Sequence, residues 1–176
     1  MLRPHVLGGV PALAALLPLV LLLLVGCARG PTRGEPRKLE EWGLTVETPA
    51  GWTGGGAGGT YVFRSPDGTG RLRVAPLDGA TSVAGLKDAQ LVAGTGATAT
   101  GRVFPTSPTK IGTLSAERGR FSANDGRVYD VVAVQVPRGV VLFQTSVAAD
   151  LAADGSGDAE RLFTTLRQSI QALGPR

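Results

Sequence analysis

The sequence is poor in the side chains on which most enzyme and metal sites depend. It contains one histidine, His5, and one cysteine, Cys27, among 176 residues. Beyond Cys27 there is no imidazole, which excludes histidine-dependent triads, cysteine–histidine pairs and zinc sites built from these residues. A single cysteine also excludes a disulfide within the chain, so the fold must be held by packing alone. We predict no catalytic residue, no metal site and no cofactor.

A strong excess of charge of one sign is also missing. From Cys27 onward, 17 basic residues stand against 14 acidic ones, and no long block of lysine and arginine occurs. Nucleic-acid-binding domains usually show such a block or a strongly basic face. The sequence therefore predicts no nucleic-acid partner.

What the sequence does contain begins with an apolar N-terminal segment. A basic start is followed by an almost entirely apolar run over residues 6–25, which is typical of a secretory signal peptide. The segment ends in four residues that resemble the lipobox of bacterial lipoproteins, Leu24, Val25, Gly26 and Cys27. In such proteins the cysteine takes a diacylglyceryl group before cleavage. We predict a lipoprotein signal peptide over 1–26, lipid attachment at Cys27, and a position on the exported side of the cell membrane or the outer membrane.

The alternative is that the apolar segment is retained as a transmembrane helix. Its length is sufficient, because a helix rises ~1.5 Å per residue and the hydrocarbon core is ~30 Å thick. Pro11 and Pro18 would disrupt such a helix, however. We therefore favour lipidation, in which palmitate and other acyl chains on Cys27 contact the membrane lipid.

The residues after the lipobox divide into a tether and one domain. Proline, glycine and charged residues without apolar periodicity predict a lipidated tether over 27–40. Strand and helix patterns then predict a single domain over 41–176. Within this domain the glycine-rich run 54–59 is predicted to be a mobile loop. It lacks the lysine and the following helix of a phosphate-binding loop.

The domain shows a series of strand patterns separated by turn residues. The predicted strands are 43–47, 61–64, 71–74, 110–121, 127–136 and 140–148. Residues 124–126, Asn-Asp-Gly, predict a three-residue hairpin loop that places Arg120 opposite Asp130. We interpret Asp130 as an ordinary cross-strand partner or a solvent-exposed residue.

Two helices are predicted as well. The first has apolar residues at helical spacing from Val83 to Ala93, with Thr81 or Ser82 as its cap. The second starts near the acidic residues of 154–158 and ends at 174–175. Its apolar stripe consists of Leu162, Phe163, Leu166 and Ile170.

The last two strand patterns are apolar at both parities, which indicates a sheet covered on both faces. Val132, Val134 and Val136 share one parity, whereas Val131 and Ala133 share the other. Hairpins rather than crossover units connect the strands. The predicted fold is therefore α+β, an antiparallel twisted sheet covered by helices on both faces, in an α/β/α sandwich.

This order of elements resembles the PsbP-like group, which includes the extrinsic photosystem subunit and DcrB-type bacterial lipoproteins. The resemblance spans about residues 41–173. It is carried by Leu44-Thr-Val-Glu-Thr-Pro-Ala-Gly-Trp52, Ser65-Pro-Asp-Gly68, the middle helix, Ile111-Gly-Thr-Leu-Ser-Ala-Glu-Arg118, Val140-Val-Leu-Phe143 and the last helix with Phe163. The resemblance implies an α/β/α sandwich that binds proteins or assists the assembly of complexes. Metal sites of some relatives use histidines that this domain lacks.

These observations together predict a non-catalytic binding or assembly module of the cell envelope, with an envelope protein as partner. Trp42 and Trp52 are candidates for an interaction edge, although tryptophans more often pack in a core. One alternative is a lipoprotein that binds a small apolar ligand. The other is a histidine-independent hydrolase. For that chemistry Ser107 and Lys110 have a known spacing, but Pro108 predicts a loop there.

Overall fold

The computed structural model describes residues 33–101, 104–153 and 157–173, all within the compact unit Pro31–Arg176. The predicted signal peptide, the lipobox and Cys27 lie outside the described residues. No helix in the described part is both long enough and apolar enough to span a bilayer.

The central element is a seven-stranded antiparallel sheet. Two strands, β1 (Arg33–Leu39) and β2 (Leu44–Pro49), precede it in the chain and belong to a smaller sheet. Its own strands are β3 (Thr53–Ala57), β4 (Thr60–Arg64), β5 (Gly70–Pro76), β6 (Phe104–Ile111), β7 (Leu114–Ser122), β8 (Arg127–Val136) and β9 (Gly139–Ala148). The spatial order is β3-β4-β5-β9-β8-β7-β6, so β3 and β6 form its two edges.

Three α-helices and a short strand complete the domain. The helices are α1 (Asp88–Thr95), α2 (Ala149–Ala153) and α3 (Asp158–Ser169), and a single 3-10 turn covers Glu40–Trp42. The strand β10 (Gln171–Ala172) pairs with β2, which also pairs with β1 in the smaller sheet.

The two faces of the large sheet are covered by different elements, as the apolar parity predicts. Val132 and Val134 pack with β2 and with Leu166 of α3, on what we call the α3 face. Val131 and Ala133 pack with Leu91 of α1 and the segment leading to it, on what we call the α1 face. The predicted α+β sandwich with two covered faces is confirmed.

The predicted tether is wrong over residues 33–39, which form β1. The backbone of β1 pairs with β2 from Arg33↔Pro49 to Leu39↔Leu44, and Leu39 is completely buried. Pro36 is compatible with this strand because β1 lies at the edge of the small sheet, where a missing N–H is tolerated. The domain therefore starts before residue 41.

The glycine-rich run is also not a loop. Residues 53–57 form the edge strand β3, which pairs with β4 through a two-residue turn at Gly58 and Gly59. Both turn glycines have positive φ, 59° and 78°, as a tight hairpin turn with the right twist requires. Glycine thus supplies the turn, and the pairing with β4 orders the strand.

The helix and strand boundaries differ from prediction at three further points. The middle helix starts at Asp88 rather than near Val83, because Gly85 has a φ of 79° that a helix does not accept. Thr81 and Ser82 are therefore not its cap, and the backbone N–H of Lys87 donates to Gln90 Oε1 instead.

A turn at Gly112, with a φ of 60°, divides the predicted strand 110–121 into β6 and β7. The last helix begins at Asp158 and ends at Ser169, before the predicted end at 174–175, since Gln171–Ala172 pairs with β2.

The hairpin between β7 and β8 is confirmed in detail. Arg120 pairs with Asp130 in the register, and Gly126 has the left-handed φ of 72°. The apolar stripe of the last helix is confirmed at Phe163 and Leu166, which are buried. Leu162 is only partly buried, and the buried Ile170 follows the end of the helix.

Candidate functional site

The two tryptophans proposed as an interaction edge have different surroundings. Trp52 is 6% exposed and lies in the core beside Gly70, where an added Cβ would come within 2.8 Å of its ring. Trp42 is partly buried and donates from Nε1 to the carbonyl of Gly59 at 3.3 Å. Each lines a separate cleft, so the structure does not bring them together as one edge.

Asp130 is the centre of a buried ionic cluster and not a simple cross-strand partner. Its carboxylate is 2% exposed, and it accepts hydrogen bonds from Arg118 Nε at 2.8 Å and Arg167 Nη1 at 3.1 Å. Arg120 Nη2 lies 3.4 Å away. We call Asp130, Arg118, Arg120 and Arg167 the Asp130 cluster. The prediction of a solvent-exposed or singly paired aspartate is wrong because α3 closes over this part of the sheet and contributes a third arginine.

The Asp130 cluster extends outward through Arg120. The Nη1 of Arg120 donates to Glu160 Oε2 at 2.7 Å, and its guanidinium lies 4.7 Å from the centre of the Phe163 ring. Burial alone would lower the pKa of Arg120, but the bond to Glu160 and the charge of Asp130 raise it above the usual value. The same hydrogen bond holds the pKa of Glu160 below its usual range.

This arrangement joins α3 to β7 and β8, and each of its three arginines has a carboxylate within 4.0 Å. Removing one partner of a buried ion pair leaves an uncompensated charge, which makes such a group a strong structural element. The Asp130 cluster therefore has a structural role.

A second group of arginines lies on the opposite face of the sheet. Arg64 of β4 pairs with Arg71 of β5, and Arg73 follows two residues later on the same α1 face. None of the three has a carboxylate within 4.0 Å among the described residues. We call Arg64, Arg71 and Arg73 the arginine row.

The fold positions the arginine row without neutralising it. The Nη1 of Arg73 donates to the carbonyl of Gly94 in the last turn of α1, at 3.4 Å, and Gln144 Nε2 donates to the same oxygen at 2.9 Å. This contact satisfies a carbonyl at the helix C-terminus, where positive charge is favourable. The Nε of Arg71 is buried and has no hydrogen-bond partner in the part of the chain that the structure describes, and Arg64 is exposed.

Arg127 lies next to the row but differs from it. It donates from Nε to Ser146 Oγ at 3.0 Å and from Nη2 to the carbonyl of Thr69 at 2.7 Å. Arg127 is thus occupied in holding the ends of β5, β8 and β9 together. The row remains the group of arginines with unmatched charge at the β3 end of the sheet.

The strand β3 continues this surface to the edge of the sheet. Its five residues Thr-Gly-Gly-Gly-Ala are all exposed, and no described strand pairs with its outer side. An edge strand presents unpaired backbone N–H and C=O groups, which proteins usually protect with proline, charge or a bulge. In β3 none of these devices is present.

The α3 face of the same edge has the opposite charge. Glu41 Oε2 would lie 3.2 Å from a Cβ at Gly59, beside the β3–β4 turn. Burial raises the pKa of Tyr61, and the negative charges of Glu41 and Glu40 raise it further. The edge is therefore basic on its α1 face and acidic on its α3 face.

An apolar depression lies elsewhere, beside Trp52. Its volume is about 420 Å³, and its apolar lining includes Pro49, Trp52, Pro66 and Leu162. Asp158 and Arg161 stand at its polar side.

Ser107 and Lys110, the candidates for a histidine-independent hydrolase, do not form a catalytic pair. Ser107 and Lys110 both lie in β6, so the predicted loop is wrong, because an edge strand accepts Pro108. Three residues apart in a strand, their side chains point to opposite faces. Among the described residues there is also no group of three or more histidine, cysteine, aspartate or glutamate side chains suited to a metal.

The arginine row was not predicted from the sequence, although a signal for it was present. Arg71-Leu72-Arg73-Val74 alternates charge and apolar residues, so one face of the strand had to carry two guanidinium groups. What the pattern could not show was the pairing of Arg64 with Arg71, which depends on the register of β4 and β5.

Comparison with solved structures gives several matches, one of which is a cyanobacterial protein. The chain matches the solution structure of the cyanobacterial PsbP protein CyanoP from Synechocystis sp. PCC 6803 with a TM-score of 0.57 and 14% sequence identity. The match covers 84% of this chain and 95% of that one. No family model and no curated protein sequence matches the chain. At this identity the comparison concerns the fold, and the chain shares the fold of cyanobacterial PsbP.

Proposed function

We propose that this chain is a non-catalytic binding module, anchored by lipid on the exported side of the cell envelope, which binds an anionic partner through the arginine row. The observation that carries the proposal is the row itself, three guanidinium groups on one face with no carboxylate of the described residues within 4.0 Å. Like charges directly opposite each other in a sheet cost stability. An external anion would offset that cost.

The contrast with the Asp130 cluster supports a role in binding. There, three arginines surround a buried aspartate and a fourth ion pair involves Glu160, so each of these arginines has a carboxylate partner within the protein. Complementary charge across an interface mainly directs association and specificity. An anionic partner is therefore attracted more strongly to the arginine row than to the Asp130 cluster.

The anchoring part of the proposal rests on the sequence of the N-terminal segment. The lipobox-like Leu24-Val25-Gly26-Cys27 directly follows the apolar run. Lipid on Cys27 would confine the domain to the membrane surface and raise the effective concentration of partners held there. The fold shared with cyanobacterial PsbP is compatible with a binding role.

A first experiment tests both parts of the proposal in cells. Chemical crosslinking of whole cells, followed by mass spectrometry, would compare the wild type with Cys27→Ser and Arg64→Glu. We expect Cys27→Ser to lose membrane attachment and metabolic palmitate label, and Arg64→Glu to keep both but lose the captured partner. Arg37→Glu, an equal charge change at an exposed position of β1, is the matched control. It should retain membrane attachment, palmitate label and the captured partner. Attachment and label that survive in Cys27→Ser would contradict lipid anchoring.

A second candidate function is favoured by the cleft beside Trp52. Its lining is mostly apolar and its volume of about 420 Å³ falls in the range of small-molecule sites. A small apolar ligand bound there would change the fluorescence of Trp52. Titration with fatty acids or other apolar compounds should then change emission in the wild type and not in Trp52→Phe.

A further inference from the structure

We infer that the anionic partner is an extended, acidic protein segment that adds to the open edge β3 as an eighth strand. The inference rests on the proposed function, and it specifies both the class of partner and the mode of binding. It combines two independent observations, a sheet edge with no neighbouring strand among the described residues and an arginine row on one face beside that edge.

The edge provides the backbone part of such an interaction. Strand β3 pairs with β4 over five residues and has no described neighbour on its other side. Addition of a peptide strand to an exposed edge gives affinity through main-chain hydrogen bonds. The opposite edge, β6, is less suited because Pro105 and Pro108 remove two N–H donors and a register shift interrupts it.

The arginine row provides the charge. An added strand would lie about 10 Å from β4, two strand spacings away. On the α1 face the intervening strand contributes only Thr53, Gly55 and Ala57, and a Cβ on Gly55 would meet nothing within 4 Å. Thr53 lies directly opposite Arg64, and Gly55 is its diagonal neighbour. A glutamate on the added strand and the long side chain of Arg64 can therefore meet beside Thr53, across the open space at Gly55.

The two faces of the edge specify how the segment is oriented. Arg64, Arg71 and Arg73 lie on the α1 face, whereas Glu41 lies by the turn on the α3 face. Side chains of a strand alternate between faces. The preferred segment therefore has acidic residues at every second position, and uncharged or basic residues between them.

A second copy of this chain fits the edge less well. Two β3 strands pairing edge to edge in an antiparallel manner would place their arginine rows on the same face of the joined sheet. Such an arrangement adds like charges and supplies no carboxylate to the row. A foreign acidic segment supplies both the strand and the missing charge.

The test uses the full-length lipidated protein in uncharged detergent and synthetic peptides of about seven residues, the length of a typical strand. The first peptide alternates glutamate with threonine or valine. The second has the same composition with its glutamates consecutive, and the third is the first with alternate backbone amides N-methylated. Affinity is measured by calorimetry, and the site is mapped by amide chemical shifts.

We expect the alternating peptide to bind and to shift amides of residues 53–57. N-methylation should weaken binding about tenfold or more, since it removes the edge hydrogen bonds. Arg64→Glu should weaken it to a similar degree, about tenfold, because it reverses the complementary charge. Arg37→Glu should leave the affinity unchanged.

Four results would overturn the inference. Equal binding of the N-methylated and parent peptides would show that charge alone is recognised. Shifts confined to β6 would place the strand at the other edge. Binding of vesicles that contain phosphatidylglycerol, reduced by Arg64→Glu, without binding of any peptide, would show that the row recognises a lipid surface. That last result would leave the proposed anionic partner intact, whereas binding to neither probe would contradict the proposed function too.

Discussion

The two ends of the seven-stranded sheet use arginine in opposite ways. At the β7–β8 end, Arg118 and Arg120 from the sheet and Arg167 from α3 surround Asp130, which is 2% exposed. At the β4–β5 end, the arginine row has no carboxylate within 4.0 Å among the described residues. The first group stabilises the domain, and the second leaves charge available at its surface.

The two edge strands beside these groups of arginines differ in how well they are protected against pairing with another strand. Strand β6 lies on the side of the Asp130 cluster. It contains two prolines and a register shift, and Lys110 lies near its end. These are the devices by which proteins prevent edge-to-edge pairing. Strand β3, next to the unmatched row, has none of them. Protection is thus placed at one edge, and the accessible edge coincides with the accessible charge.

The largest expected effect on stability comes from removing the carboxylate of Asp130. Asp130→Asn should lower the free energy of unfolding by about 3 kcal/mol, because three arginines then lose their buried counter-charge. Urea denaturation measures the change. Asp78→Asn, at an exposed aspartate in a turn, is the control and should alter stability by less than about 0.5 kcal/mol. Similar values for both variants would remove the distinction between the two ends.

Strand β3 offers a pair of adjacent glycines with different expected effects. Gly54 has a φ of 144°, and a Cβ there would lie 2.0 Å from the carbonyl oxygen of Val62. Gly54→Ala should therefore destabilise the domain by about 2 kcal/mol. Gly55→Ala, where the space is open, should be neutral or stabilise by a few tenths of a kcal/mol, about the entropic gain from losing a glycine. Equal effects in thermal unfolding would mean that β3 is not paired as described.

The contact between Arg120 and Glu160 should also make the stability of the protein decrease at low pH. Arg120 lowers the pKa of Glu160 in the folded state, so this contact contributes stability above the unfolded pKa of about 4.3 and loses it as pH falls through the lowered value. Thermal unfolding from neutral pH to about pH 3 should show a smaller decrease in Glu160→Gln than in the wild type. An identical decrease in both would show that the contact does not form in solution.

The smallest expected effect on stability belongs to the arginine row. Arg64→Gln removes one of two like charges that face each other, so stability should stay the same or rise by about 0.5 kcal/mol. The comparison to make is the urea midpoint at low and at high salt, since screening should reduce any gain. A loss of more than about 1 kcal/mol would mean that Arg64 has a structural role.

Much of this fold could be predicted from the sequence, because apolar parity and turn residues are local signals. Apolar residues at both parities between Val131 and Val136 indicated two covered faces, and Asn124-Asp125-Gly126 predicted the register that pairs Arg120 with Asp130. The strands β1 and β3 were missed because their sequences are typical of loops. Their order comes from pairing with β2 and β4, which composition alone does not reveal.

The candidate site was harder to predict because it depends on contacts between distant residues. Asp130 receives its third arginine from Arg167, 37 residues away on α3, and no local pattern signals that contact. The arginine row likewise depends on the pairing of Arg64 with Arg71 and on the absence of a nearby carboxylate. The lipobox at Leu24–Cys27 remains a prediction from sequence, since it lies outside the described residues.

Site-specific photocrosslinking in cells compares the two edges most directly. A photoreactive amino acid replaces Gly55 on β3, where a side chain has room, or the exposed Lys110 on β6. We expect the photoreactive residue at position 55 to capture a protein segment with acidic residues at alternate positions, and Arg64→Glu to abolish this adduct. The photoreactive residue at position 110 should capture no such segment. Capture from position 110 alone, or capture from position 55 that is unaffected by Arg64→Glu, would contradict this expectation.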